Sequence, residues 1–144
     1  MIKDIRIFEE GSGGDFNIVD NDIEMTNSLK NQVYLAFFGG NIKDDVGEQK
    51  NDYWANSFFN DEQKYISNFE RTILSVPLNS SGLQKIKSAA EQDLKFLKEY
   101  AEIKIDLSIE SKDLLYLYIE IKAPNNISEK IRLIWNNTEK TLTS

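Results

Sequence analysis

The sequence predicts an α+β domain: an N-terminal β-hairpin, then helices, then a C-terminal three-stranded antiparallel meander packed on a long amphipathic helix. Two observations carry this prediction. Apolar residues recur at three- and four-residue steps over residues 80–100, which is typical of an amphipathic helix. After Tyr100, apolar and polar residues alternate in three successive segments, which indicates strands that each bury one face.

The first predicted element is a β-hairpin. Apolar residues alternate with polar ones on both sides of residues 11–14, whose sequence is Gly-Ser-Gly-Gly. A glycine-rich turn between two alternating segments is typical of a hairpin. A second turn is predicted at residues 20–22. The alternating apolar residues are Ile5, Ile7, Phe16 and Ile18.

A first helix is predicted at residues 27–38, with Thr26 as its N-cap and Gly39-Gly40 closing its C-terminal end. Residues 41–60 are mostly polar and are predicted to form a long loop. The loop contains an aromatic cluster, and rings of this size require apolar cover. The cluster consists of Tyr53, Trp54, Phe58 and Phe59.

Two further helices follow in the prediction. One covers residues 60–76 and is ended by Pro77. The other starts after Ser80 and Ser81 and extends to about Tyr100, with lysines and a glutamate around the rest of its surface. Its apolar stripe consists of Leu83, Ile86, Ala90, Leu94 and Leu97.

The meander is predicted from the alternation at residues 103–109, 115–121 and 131–135, separated by turns at residues 111–113 and 124–126. No repeat or linker divides the chain, and 144 residues match the size of one domain. Residues 1–135 are therefore predicted to form a single domain, and residues 136–144 a polar C-terminal tail.

Composition restricts the chemistry that this chain can perform. There are no cysteines and no histidines, which excludes disulfides, thiolate nucleophiles and imidazole-based catalysis. The net charge is −7 and lysines are interleaved with acids, so we expect no nucleic acid and no anionic membrane as partner. Charges near the N-terminus and the absence of a long apolar run predict a protein made in the cytoplasm.

A calcium loop is considered at Asp20, Asp22 and Glu24. Such a loop needs a glycine at its sixth position and a glutamate at its twelfth, where this chain has Met25 and Asn31. A turn with solvated carboxylates is the favoured interpretation. We predict no metal and no cofactor.

Two other chemistries are weighed against simpler interpretations. Residues 11–14 lack the Lys-Ser/Thr ending of a phosphate-binding loop and precede a strand, so a hairpin turn is favoured. Paired carboxylates are the remaining acid–base groups, but nothing apolar surrounds them in sequence to raise a pKa. We predict no enzyme and no small-molecule substrate. The pairs are Glu9-Glu10, Asp44-Asp45 and Asp61-Glu62.

Three features predict a protein-interaction surface. The aromatic cluster of residues 53–59 either fills the core or anchors a partner, because tyrosine and tryptophan dominate interface energies. Tyr116 and Tyr118 lie opposite the aliphatic face of their strand. The segment with Ile131, Leu133 and Trp135 is predicted to be an edge strand able to accept a strand from a neighbour.

The order of these features resembles the Mu-like phage baseplate wedge protein family, relatives of the T4-type baseplate wedge subunit of contractile tails. The resemblance covers residues 4–135. It rests on four stretches: residues 14–16 with 22–24; residues 35–41, Leu-Ala-Phe-Phe-Gly-Gly-Asn; residues 52–56, Asp-Tyr-Trp-Ala-Asn; and Asp93-Leu94 before the strand pair.

The resemblance implies a structural role in a virion or phage-like particle such as a tailocin. The chain would occur in multiple copies per ring of a tail baseplate, bound to other wedge proteins and to tail sheath or hub proteins. Members of the family seed sheath assembly by strand addition, which implies that the meander edge is the acceptor here.

Two other classes of function remain open from the sequence. One is a small acidic adaptor or inhibitor protein that covers one basic partner. The other is a carboxylate enzyme, which would need two acids in a concave apolar pocket.

Overall fold

The structure is a computed structural model of the chain, and within its described residues it contains three α-helices and a four-stranded antiparallel sheet. This architecture confirms the predicted α+β class, the N-terminal hairpin and an antiparallel C-terminal sheet. The described residues are 3–9, 14–16, 18–40, 57–58, 60, 64, 66–124 and 127–143.

The N-terminal segment is a series of short antiparallel pairs. Pairing joins β2 to β3 across the glycine-rich residues, β4 to β5 across a tight turn, and β1 to β6. Asp20 and Asn21 adopt positive φ angles of 53° and 63° in that turn, which two-residue hairpin loops require. The strands are β1 (Lys3–Ile5), β2 (Ile7–Glu9), β3 (Gly14–Phe16), β4 (Ile18–Val19), β5 (Asp22–Ile23) and β6 (Met25–Asn27).

Helix α1 (Ser28–Phe38) follows β6 directly. It begins later than predicted because Thr26, expected as the N-cap, is paired with Asp4 in the β1–β6 ladder. The helix buries Val33, Ala36 and Phe37 at helical spacing. Gly40 then adopts a φ of 79°, a conformation that glycine reaches without strain.

Helices α2 (Asn68–Ser75) and α3 (Ser80–Asp93) are shorter than the sequence pattern predicts. The described residues just before α2, Ile66 and Ser67, are not helical, and Pro77 follows its end. The stretch predicted as the end of the third helix is instead a 3-10 helix at Lys95–Glu99. Apolar residues three apart, such as Leu94 and Leu97, do not distinguish these two helix types, because both types place residues i and i+3 on one face.

The predicted three-stranded meander is present as β7 (Glu102–Ser111), β8 (Leu114–Lys122) and β9 (Ser128–Asn136). A fourth strand, β10 (Thr141–Thr143), pairs with the end of β9, giving the order β10-β9-β8-β7. This strand lies in the segment predicted to be a polar tail. Leu142, the one aliphatic residue of that segment, is buried opposite Trp135.

The core lies between one face of the sheet and the helices. On the sheet side it is formed by the alternating residues that the sequence predicts to face inward, such as Ile105, Leu117 and Ile119. On the helix side Phe37 stacks on Phe69, with ring centroids 4.3 Å apart. Helix α1 contacts β9 and α3 contacts β7, so the helices pack against strands on both sides of β8.

Gly82, in the first turn of α3, is held against the backbone of Pro77. A Cβ atom at position 82 would lie 1.9 Å from the Pro77 carbonyl oxygen.

Alanine normally stabilises a helix relative to glycine by about 1 kcal/mol. We expect Gly82→Ala to destabilise instead, by about 2 kcal/mol, because the close approach must open. Urea unfolding would measure this, with Ser88→Ala on the exposed face as control; a stabilised Gly82→Ala variant would contradict the contact.

Leu142 tests whether the C-terminal strand belongs to the core. Leu142→Ala removes a buried side chain packed in the main apolar cluster, so we expect a loss of about 2–3 kcal/mol in the free energy of unfolding. The neighbouring Thr143 is exposed, and Thr143→Ala is expected to change stability by less than about 0.5 kcal/mol. Equal, small effects of the two variants would show that β10 contributes little.

Candidate interaction surfaces

Asp93, the last residue of α3, is a buried carboxylate that joins two helices. Its Oδ2 atom accepts hydrogen bonds from the backbone N–H groups of Asn68 at 2.8 Å and Phe69 at 2.7 Å. Its Oδ1 atom accepts one from Asn68 Nδ2 at 2.9 Å. These backbone groups are the first of α2, which have no partner within their own helix. Asp93 therefore caps α2 from outside it.

Ser67, the residue before α2, makes the matching connection to α1. Its Oγ atom donates a hydrogen bond to the Ala36 carbonyl at 2.8 Å, and its backbone N–H donates to Gly40 at 3.0 Å. The ends of α1, α2 and α3 therefore meet at one buried polar junction formed by Ser67, Asn68 and Asp93.

A cavity of about 610 Å³ lies beside this junction, lined by Lys64, Lys95, Lys98 and Glu99 together with Asp93. Acid catalysis by a carboxylate pair would need oxygens directed at a reactant. The Asp93 oxygens are instead occupied by three N–H donors, and Glu99 is exposed. The arrangement therefore holds helices together. Among the described residues there is also no cluster of three or more side chains able to bind a metal.

The position of Asp93 in the sequence indicates that its side chain is buried, which the overall composition does not. It lies three residues after Ala90 and four before Leu97, on the stripe of α3 and its continuation that is buried. A charged residue in an apolar stripe requires a hydrogen-bonding partner. The pattern could therefore predict a buried, satisfied carboxylate, but not which helix it would cap.

The outer face of the sheet, opposite the helices, carries the two tyrosines expected there. Tyr118 lies between Asp106 of β7 and Arg132 of β9, and its side chain is 42% exposed. Tyr116 is half-buried and packs edge-on against Tyr118, with ring centroids 6.3 Å apart. None of the described elements covers this face in the way that the helices cover the other.

A shallow groove of about 230 Å³ runs beside Tyr118. Three basic and two acidic side chains line the groove, so its local net charge is +1, although the net charge of the whole chain is −7. Glu120 lies at 3.8 Å from both Lys122 and Lys130, and Lys104 lies at 3.0 Å from Asp106. The charged side chains that line the groove are Lys104, Asp106, Glu120, Lys130 and Arg132.

The two edges of the sheet differ. On one side β10 pairs only with residues 134–136 of β9, so among the described strands β9 is an edge strand over its first part and covered over its last. The predicted edge strand of residues 131–135 is therefore paired with β10 from residue 134 onward. On the other side β7 forms the edge along its whole length among the described strands.

Side chains of the predicted edge strand are divided between core and surface. Leu133 and Trp135 are buried in the main cluster, and Ile131 is partly buried against it. Any contact that these residues make with a partner strand would therefore come from their backbone. The Trp135 Nε1 atom is buried and has no hydrogen-bond partner among the described residues.

The aromatic cluster is only partly placed by the structure. Tyr53, Trp54 and Phe59 lie outside the described residues. Phe58 is described and is 79% exposed. The three carboxylates considered as calcium ligands have different roles. Glu24 forms an ion pair with Arg6 at 2.9 Å, whereas Asp20 and Asp22 lie at a hairpin turn.

Comparison with known proteins gave no match, whether against protein-family models, curated protein sequences or solved structures. The resemblance to baseplate wedge proteins therefore stays a prediction from sequence. Within the described residues no helix combines the length and apolar character needed to cross a membrane.

Asp93 also predicts a pH dependence of stability. Burial raises the pKa of Asp93 above its ordinary value of 3.8, although the N–H groups of Phe69 and Asn68 oppose the shift. A raised pKa in the folded state means that the folded protein holds this proton more tightly than the unfolded chain. The resulting stability is complete below pH 3.8 and is lost as the pH rises through the raised value.

We therefore expect the wild-type protein to lose stability relative to Asp93→Asn as the pH rises through this window, because asparagine cannot ionise. Asp93→Ala leaves buried N–H groups unpaired and should cost about 1–3 kcal/mol at neutral pH. Urea unfolding of the three proteins from about pH 3 to about pH 7 measures both effects. A wild-type protein that gains stability relative to Asp93→Asn with rising pH would contradict the direction.

Proposed function

We propose that this chain is a structural subunit of a contractile phage or phage-like tail baseplate, joining wedge proteins and seeding sheath assembly by strand addition. The observation that supports this proposal is the open outer face of the C-terminal sheet, which presents Tyr116 and Tyr118 beside a backbone edge on β9. A rigid sheet with exposed aromatic side chains is suited to binding a large partner rather than to converting a substrate.

The β9 edge provides the strand-addition site in this proposal. Pairing with β10 ends at Ile134, so an incoming strand would lie beside residues 128–133, in line with β10. Backbone hydrogen bonds would supply most of the affinity. The buried Leu133 and Trp135 would keep the edge flat and fixed, since their side chains are held in the core.

The outer face provides specificity in the same proposal. Tyr118 is flanked by Arg132 and by the groove with one surplus positive charge. Tyrosine and arginine are the residue types enriched where interfaces concentrate their binding energy. A partner segment with acidic and apolar side chains would fit this surface best, although the chain as a whole is acidic.

The experiment is co-expression of the tagged chain with the genes adjacent to its own, followed by purification and identification of the recovered proteins. Recovery of large wedge-type proteins together with a tube or sheath protein supports the proposal. Recovery of the chain alone, or with one small basic protein, would reject it and favour the adaptor function. Trp54→Ala in the same experiment tests the aromatic cluster.

Tyr118 provides the matched test of the outer face. We expect Tyr118→Ala to weaken binding to the recovered partner by at least about tenfold, because an aromatic hot-spot side chain contributes about 2 kcal/mol or more. Tyr100 is the control, since it is similarly exposed at 47% but belongs to the other layer, where it hydrogen-bonds Gln32. Equal affinities of the Tyr118→Ala and Tyr100→Ala variants in a titration would exclude the outer face as the interface.

A further inference from the structure

The edge strand β7 has a surface that is complementary to itself. We propose that β7 pairs antiparallel with β7 of a second copy of this chain, about a two-fold axis at Ile105. The result would be a dimer with one continuous eight-stranded sheet. The proposal concerns the edge opposite β9 and does not depend on the baseplate function.

Among the described strands, β7 has an open edge along its whole length. It spans Glu102–Ser111 and pairs with β8 throughout, while none of the described strands lies on its other side. An edge of this length leaves a row of backbone N–H and C=O groups that another strand can pair with. Such an edge is a template for association unless side chains prevent it.

The charges on the outer face of β7 are complementary to those of a second copy. An antiparallel pair about an axis at Ile105 places Lys104 opposite Asp106 of the second copy, and Asp106 opposite Lys104 of the second copy. Within one chain these two side chains already lie 3.0 Å apart on the outer face. The dimer would therefore contain four charges that alternate in sign around the axis, and opposite charges across strands are stabilising.

Other registers are less favourable. An axis at Lys104 places lysine opposite lysine, and an axis at Asp106 places aspartate opposite aspartate. An axis at Leu107 places Lys104 opposite Glu110, but the strand is irregular between Ile109 and Ser111, where its ladder with β8 shifts. An axis placed between two residues, instead of at one, puts apolar residues opposite charged ones. A sheet with one buried face does not tolerate such pairs.

The apolar face of β7 is incompletely covered in the single chain. On the neighbouring β8 the inward-facing side chains are at most 2% exposed; these are Leu115, Leu117, Ile119 and Ile121. On β7, Ile103 and Leu107 are only partly buried and Ile109 is 37% exposed. The axis at Ile105 places Ile103 opposite Leu107 of the second copy, so the dimer would continue the apolar face where the single chain leaves it open.

Lysines and bulges are also devices that discourage strand pairing at sheet edges. In β7, both the lysine and the bulge are compatible with the antiparallel pairing centred on Ile105. The bulge lies at the end of the strand, outside the central pairs. The charges lie on the outer face and alternate in sign, and no charged residue points inward from residues 103–109 of β7. These features therefore favour the register at Ile105 over those at Lys104 and Asp106 without blocking pairing.

Reversal and exchange of the two charges test the dimer. Sedimentation velocity of the wild-type chain over a wide concentration range should show a reversible dimer. Lys104→Asp places acid opposite acid twice and should raise the dissociation constant by at least about tenfold. The double variant Lys104→Asp with Asp106→Lys restores both pairs and should recover dimerisation. Lys85→Asp, on the exposed face of α3, is the control and should leave the dimer unchanged.

Cysteine cross-linking tests the register, because the chain contains no cysteine of its own. Opposite residues in antiparallel strands lie about 4.5–5.5 Å apart at Cα, within the range of a disulfide. A mixture of Lys104→Cys and Asp106→Cys chains should form a disulfide-linked heterodimer, while either variant alone should not. Circular dichroism of each variant confirms that it is folded.

Each result of these experiments either supports the proposed dimer or overturns it. Dimerisation of the wild type, loss on reversal, rescue on exchange and cross-linking only in the mixture support the proposal. A wild-type chain that is monomeric at every concentration overturns it. A dimer that survives reversal, or that cross-links through Lys104→Cys alone, overturns the β7 register. Neither result bears on the recovery of wedge proteins, which tests the proposed function separately.

Discussion

The buried hydrogen bonds of Asp93 are the constraint on which the helical layer depends. One carboxylate at the end of α3 satisfies the first backbone donors of α2, while Ser67 satisfies carbonyl groups at the end of α1. A short helix such as α2 has little stability of its own, so its position follows from its cap and from the burial of Phe69 and Ile73. Ionised, the carboxylate is costly to bury, and three N–H donors offset that cost.

The sheet gives the molecule two surfaces with different roles. Its inner face is largely apolar and packs on the helices, with Leu117 and Ile119 at the centre, while the cover is incomplete over β7, where Ile109 is 37% exposed. Its outer face mixes charges with Tyr116 and Tyr118 and is left open by the described elements. The β9 edge and the β7 edge lie on opposite sides of the sheet among the described strands, so the two proposed associations do not compete for the same edge.

Much of the fold could be predicted, because alternation and helical periodicity report directly on burial. The three long strands and the turn between β7 and β8 were predicted from alternation alone, and α1 from its apolar spacing. Two features could not be predicted. Strand β10 has three residues and one buried side chain, Leu142, too short a pattern to recognise. The change from α-helix to 3-10 helix after Asp93 leaves the apolar spacing almost unaltered.

The sequence by itself determined the class of the domain, the face of each long strand that is buried, and the absence of cysteine and histidine chemistry. It placed the tyrosines on the outer face because residues alternate along a strand. Only the tertiary structure decided that Asp93 caps α2, that β10 covers part of β9, and that β7 is left at the edge. The physical reason is that periodicity reports which side of an element is buried, whereas partners distant in sequence are chosen by packing in three dimensions.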